Sequence, residues 1–174
     1  MKQKSLLITF FLAILSFKSI AQELDHKLAS VFIYNFTKYI DWPADHKNGD
    51  FVIGVFGDIS IVEVFNKCIA SKKVGNQPIA MRMTRSMDGI EQCNIVYVSL
   101  SESYRLKDIL MVLKGKPTLI ICEKMGLAKK GASINLFLDE DDDYKTKFEI
   151  NKKAIEGSGL IISTQLVNLA ERAY

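Results

Sequence analysis

From Glu23 to Ile40 the apolar residues fall at Leu24, Leu28, Val31, Phe32, Phe36 and Tyr39. Spacings of three and four place them on one stripe of a helix. Trp42 and Pro43 predict the end of that helix, because a proline pushes the preceding residue out of the α region. Phe51 to Phe56 (FVIGVF) is a short apolar run bounded by turn residues, the pattern of a strand buried on both faces. Ile61, Phe65 and Cys68 then line one side of a helix expected from about Ser60 to Ala70. Ile79 to Met83 and Asn94 to Val98 read as further strands, Glu102 to Leu113 as a helix and Thr118 to Ile121 as another inner strand.

Strands alternating with helices predict a largely parallel α/β sheet. The pattern changes after Gly131, where INLFL (Ile134 to Leu138) and YKTKFEI (Tyr144 to Ile150) flank DEDDD with no room for a helix between them. That is a hairpin, so the sheet is mixed. Asn151 is placed to cap a short helix through Ala154 and Ile155. Leu160, Ile161, Gln165, Leu166 and Leu169 predict a final amphipathic helix. The expectation is one α/β domain: a mixed, mostly parallel sheet flanked by helices, closing with a β-hairpin and a helix.

The first residues set Lys2 and Lys4 before an almost unbroken apolar run from Leu6 to Phe17, followed by Ser19, Ile20 and Ala21. This is the pattern of a secretory signal, residues 1–21, cut after Ala21 to leave a mature domain of residues 22–174. As a membrane anchor the run falls short: it spans about 18 Å at ~1.5 Å per residue, against a hydrocarbon core of ~30 Å. The expected product is periplasmic and not inserted in the membrane. The 174-residue chain has 23 basic and 20 acidic side chains. Loss of Lys2, Lys4 and Lys18 with the leader brings the two into balance, which argues against a nucleic-acid partner and against attachment to anionic lipid.

Motifs for catalysis and cofactors are missing. His26 and His46 both precede the first predicted inner strand, and neither GxSxG nor HExxH occurs, so a Ser/His/Asp hydrolase is disfavoured and no catalytic residue is assigned. An EF-hand loop starting at Asp139 needs glycine at its sixth position and glutamate at its twelfth; the chain has Tyr144 and Ile150, so no metal site is expected. Gly54 and Gly57 sit where phosphate loops occur, but GxGxxG and GxxxxGK[ST] are both absent and no cofactor is expected. Tyr34 and Trp42 are the aromatics that could form a ligand-stacking surface.

Three cysteines in an oxidising compartment allow one disulfide. Cys93 begins one predicted parallel strand and Cys122 ends another, which puts them about 15 Å apart at ~3.3 Å per residue, beyond disulfide reach. Cys68 lies near the end of a crossover helix that returns to the edge where strands begin. The expected bridge is therefore Cys68 to Cys93, with Cys122 a buried thiol.

The segments YNFTKYIDWP (Tyr34 to Pro43), FVIGVFGD, CNIVYVS, GASINL, FEIN and GLIISTQLVNLA occur in an order that resembles the YfiR family of periplasmic regulators. The resemblance implies a non-enzymatic repressor that binds the periplasmic sensor domain of an inner-membrane diguanylate cyclase and releases it on envelope or redox signals. It also implies a homodimer that depends on disulfides. By motif position it places partner contacts at Phe137, Glu149 and Ile155. The chain departs from the family's two-disulfide pattern, since three cysteines make only one intramolecular bridge. The alternative function is a periplasmic small-molecule binding module using the surface around Tyr34 and Trp42.

Overall fold

The computed structural model describes residues 24–174; the expected leader, residues 1–21, lies outside them. The chain opens with α1 (His26–Phe36), whose N-cap Asp25 accepts a hydrogen bond from the Lys27 amide at 2.8 Å. The helix stops at Phe36, a turn earlier than Trp42 and Pro43 suggest, and β1 (Ile40–Asp41) follows. Then come β2 (Phe51–Phe56), α2 (Ile59–Ile69), β3 (Lys73–Val74), β4 (Gln77–Met83) and β5 (Ile95–Val98). A 3-10 turn over Leu100–Arg105 leads into α3 (Leu106–Val112) and β6 (Leu119–Cys122). The chain closes with β7 (Ile134–Asp139), β8 (Lys145–Ile150), α4 (Lys152–Gly157), β9 (Ile161–Ile162), α5 (Thr164–Leu169) and β10 (Arg172–Ala173).

The main sheet has the order β10-β8-β7-β6-β5-β2-β4-β3. Strands β4, β2, β5, β6 and β7 run parallel, β7 and β8 form the expected antiparallel hairpin, and β3 lies antiparallel on β4. The connection from β2 to β4 steps one way and the later strands step the other, so the order reverses between β2 and β5. The mixed α/β fold read from the sequence is the fold found.

Period-two alternation divides the inner strands between two cores. Phe51, Ile53 and Val55 of β2, with Ile95 and Tyr97 of β5 and Leu119 and Ile121 of β6, face α1 and α2. Phe56, Val96, Val98, Ile120 and Cys122 face α3 through Leu106, Ile109 and Leu113. Both faces are covered, which is why these strands read as unbroken apolar runs. Gly54 is a point of close approach: a Cβ there would lie 2.8 Å from the Cys93 sulfur.

The last elements differ from expectation. Leu160 and Ile161 do not begin a helix; β9 pairs antiparallel with β1, Ile40 opposite Ile162, and α5 starts only at Thr164. A two-residue pairing is invisible to periodicity, because so short a strand has no period to show. The Asn151 cap does form, its side-chain oxygen accepting from the Ala154 amide at 2.8 Å.

The cysteines require a correction. Cys68, Cys93 and Cys122 are all free thiols. Cys68 packs against the core under α1 and α2, whereas Cys93 belongs to the core on the opposite face of the sheet. The edge argument placed both near the strand starts but ignored which face each side chain enters. Cys122 is buried as expected, in register with Val98 at the far end of β5 from Cys93.

Candidate functional site: a cleft at the carboxyl ends of the parallel strands

Where strand order reverses in a parallel sheet, the loops after neighbouring strands part in opposite directions and leave a crevice at the carboxyl edge. Such a cleft is present here, with a volume of about 570 Å³. Asp58 and Ile61 reach it from the start of α2, Ser99 and Leu100 from the end of β5, and Glu123 to Met125 from the end of β6. Phe137 and Leu138 of β7 and Leu24 and His26 at the start of α1 complete the wall. Gly57 lets β2 turn into α2 this close to β5, since a Cβ there would stand 2.8 Å from Ile61 Cδ1 and 3.1 Å from Ser99 Oγ.

Glu123 organises the cleft. Its Oε1 lies 2.7 Å from His26 Nε2 and also accepts the hydroxyl of Tyr97, and its Oε2 accepts the Leu100 amide at 2.7 Å. The carboxylate is almost wholly buried and the imidazole about a quarter exposed. Burial and the neighbouring Glu123 charge push the Tyr97 phenol well above its usual range, so it stays protonated and remains a donor. The Cys122 thiol beneath is pushed up to about 12 by burial and then by Glu123, which leaves it a neutral thiol and a poor nucleophile. One buried carboxylate thus joins α1, β5, β6 and the loop after β5. It makes a rigid floor, with no activated nucleophile beside it.

Sequence reasoning missed this group. Glu123 is one acid at the end of TLIICE and His26 one polar residue at a helix start; their 97-residue separation gives no spacing signal. The available hint was the position of Glu123 directly after a buried strand, where inner-sheet residues reach a carboxyl-edge site.

The residues carried over by resemblance are all buried: Phe137 is 5% exposed, Glu149 1% and Ile155 0%. Phe137 lines the cleft. Glu149 lies opposite Asn135 across the hairpin and accepts from the Gly126 amide and Asn135 Nδ2, both at 2.8 Å, and from the Tyr174 hydroxyl at 2.9 Å. It ties the closing residues and the loop after β6 to the hairpin. Ile155 packs in the core under α1 and α2.

Tyr34 and Trp42 do not come together as a stacking surface. Trp42 is buried edge-on against Phe51, ring centroids 4.9 Å apart, and its indole N–H donates to the Asn94 carbonyl at 3.3 Å. It borders a separate hollow of about 330 Å³ beside Lys47 and Gln77. Tyr34 sits on α1 with the Lys38 ammonium 4.8 Å from its ring centre. In the acidic hairpin turn, Asp139 and Asp142 bind Lys147 at 2.6 and 3.1 Å, and Asp142 also binds Lys145 at 2.7 Å. Among the described residues no group of three or more His, Cys, Asp or Glu is arranged to hold a metal, and no helix is long and apolar enough to cross a membrane.

Solved structures share the fold. A conserved domain protein from Vibrio cholerae O1 biovar eltor superposes with a TM-score of 0.60 at 12% identity, covering 86% of this chain and 60% of that one. The ABC domain in complex with L-Trp from Streptococcus pneumonia superposes with a TM-score of 0.55 at 11% identity, covering 72% and 55%. This chain therefore spans less than two thirds of either. No curated protein matches it. The YfiR/HmsC-like family matches residues 26–171, almost the entire described chain, and the chain therefore belongs to that family, which is associated with regulation of diguanylate cyclase systems.

Proposed function

We propose that the protein is a periplasmic, non-enzymatic regulator that binds the sensor domain of an inner-membrane signalling protein, a diguanylate cyclase or similar, and holds it inactive. The family match over residues 26–171 carries this reading. The cleft supports it: its rim exposes Leu100 (56%) and Met125 (49%) above Phe137, apolar area of the kind that partner surfaces use. Regulation would work by population shift. The regulator binds the inactive form more tightly and biases the partner off by no more than that difference in affinity, until an envelope or redox signal releases it.

In this reading Leu100 and Met125 touch the partner, and the almost wholly buried Phe137 lies beneath them. Glu149 and Ile155 support the hairpin from inside. The homodimer that the resemblance implies and the cut after Ala21 belong to the same proposal, and light scattering and intact mass of the exported protein test them.

The decisive experiment is capture from detergent-solubilised envelope with the wild-type chain and a Leu100→Asp/Met125→Asp variant. Both side chains are exposed, so the variant should melt as wild type does. A sensor protein retained by the wild type and lost by the variant supports the proposal. A wild type that retains no membrane signalling protein, or a variant that retains it equally, overturns the reading or its assigned surface respectively.

A further inference from the structure

We propose that the cleft at the carboxyl ends of β2, β5 and β6 binds a small organic cation, an ammonium group carried on an aliphatic body. The inference stands on the cleft itself and does not depend on the regulator reading.

The size is right: about 570 Å³ lies within the ~300–1,000 Å³ typical of small-molecule sites, and a reversal of strand order is where such sites occur. The walls are mainly aliphatic, with Ile61, Leu100, Met125 and Leu138 joined by Phe137. Charge selects the ligand. Three carboxylates, Asp58, Glu123 and Glu140, line the cleft against one lysine, Lys124. Glu123 is committed to His26, Tyr97 and Leu100. The carboxylates of Asp58 and Glu140 take part in no hydrogen bond or ion pair among the described residues.

Two unpaired carboxylates beside an apolar hollow favour a cation whose body displaces water from the walls, because a drier surrounding strengthens the ion pair. A free anion would meet the same two charges against the single ammonium of Lys124, which has no ion pair among the described residues, so the net charge still disfavours it. The positive end of the α2 dipole does not reverse this preference, since Asp58 already occupies the N-cap position. Ser99 and Ser101, whose hydroxyls lie 3.0 Å apart, add oxygens that can accept from an ammonium.

The test is calorimetric titration of the mature chain with n-hexylamine, n-hexanol and 6-aminohexanoate, repeated on an Asp58→Asn/Glu140→Gln variant. Both residues are exposed and the Asp58 side chain makes no capping hydrogen bond, so the variant should keep its melting temperature. The expected result is saturable binding of hexylamine, with hexanol and 6-aminohexanoate at least about tenfold weaker. The double variant should lose at least about tenfold for hexylamine and nothing for hexanol. Absence of saturable hexylamine binding, equal binding of hexanol, or a double variant that binds hexylamine unchanged would each overturn the proposal. The titration uses the purified chain alone, so its failure leaves the regulator reading untouched, and a failed envelope capture leaves the cation site untouched.

Discussion

Glu123 and His26 stand 97 residues apart in the chain and 2.7 Å apart in the fold, so the end of the central strand β6 holds the start of the first helix. The contact fixes one wall of the cleft. Its carboxylate is also the acceptor for Tyr97 and for the Leu100 amide, so the two residues form one corner of a network that spans both sides of the strand-order reversal.

Replacing Glu123 should therefore cost more than replacing His26. Glu123→Ala leaves the buried Tyr97 hydroxyl without its acceptor, and each orphaned buried group costs about 1–3 kcal/mol. His26→Ala removes a partly exposed partner and should cost about 1 kcal/mol. Thermal melts of the two variants, with hydrogen exchange over α1, measure both; equal losses would show that Glu123 is not the hub.

Phe137, Glu149 and Ile155 should separate by mechanism. Ile155→Ala opens a cavity in the core under α1 and should cost about 2–5 kcal/mol. Glu149→Ala strands the Gly126 amide and the Tyr174 hydroxyl and should loosen the C-terminal strand, which proteolysis of β10 would reveal. Phe137→Leu keeps most of the volume and should cost under about 1.5 kcal/mol, so an effect on partner capture beyond that loss reports on contact.

Thiol labelling of the native protein should modify Cys68 first, because Cys93 and Cys122 are buried and burial raises both thiols. All three should label once the chain is unfolded without reductant. Non-reducing peptide mapping that joined Cys68 to Cys93 would contradict their placement on opposite faces of the sheet.

The closing hairpin should weaken in acid. The Lys147 ammonium holds the Asp139 carboxyl below its usual range, and Lys145 with Lys147 does the same for Asp142. Their folded values are depressed, so the unfolded chain binds protons more readily. The contribution is present above the ordinary carboxylate value of about 4 and is lost as pH falls through the folded values. Melting followed from pH ~7 to ~3 should drop more steeply for wild type than for Lys147→Met, which lacks the pairing; parallel curves would show that the cluster adds nothing to stability.

The sequence by itself determined the class of this fold. The runs FVIGVF, NIVYV and TLII are apolar because both faces of the sheet are covered, and such burial is written residue by residue along a strand. The hairpin was equally legible, since only a turn fits between INLFL and YKTKFEI, and Asn151 announced its cap through a contact three residues away. Local chemistry also excluded the common catalytic and nucleotide motifs. The tertiary structure alone decided what meets across the sheet. Cys68 and Cys93 seemed close along the strand direction, yet crossover geometry sends their side chains to opposite faces. Trp42, read as part of a ligand-stacking surface, is instead buried edge-on against Phe51, with its indole N–H on the Asn94 carbonyl 52 residues away. The cleft itself has no linear signature: it exists because β4 and β5 pack on opposite sides of β2, and Glu123 and His26 acquire a role only once that order brings them together. Periodicity records whether a residue is buried; the path of the chain through space decides against what.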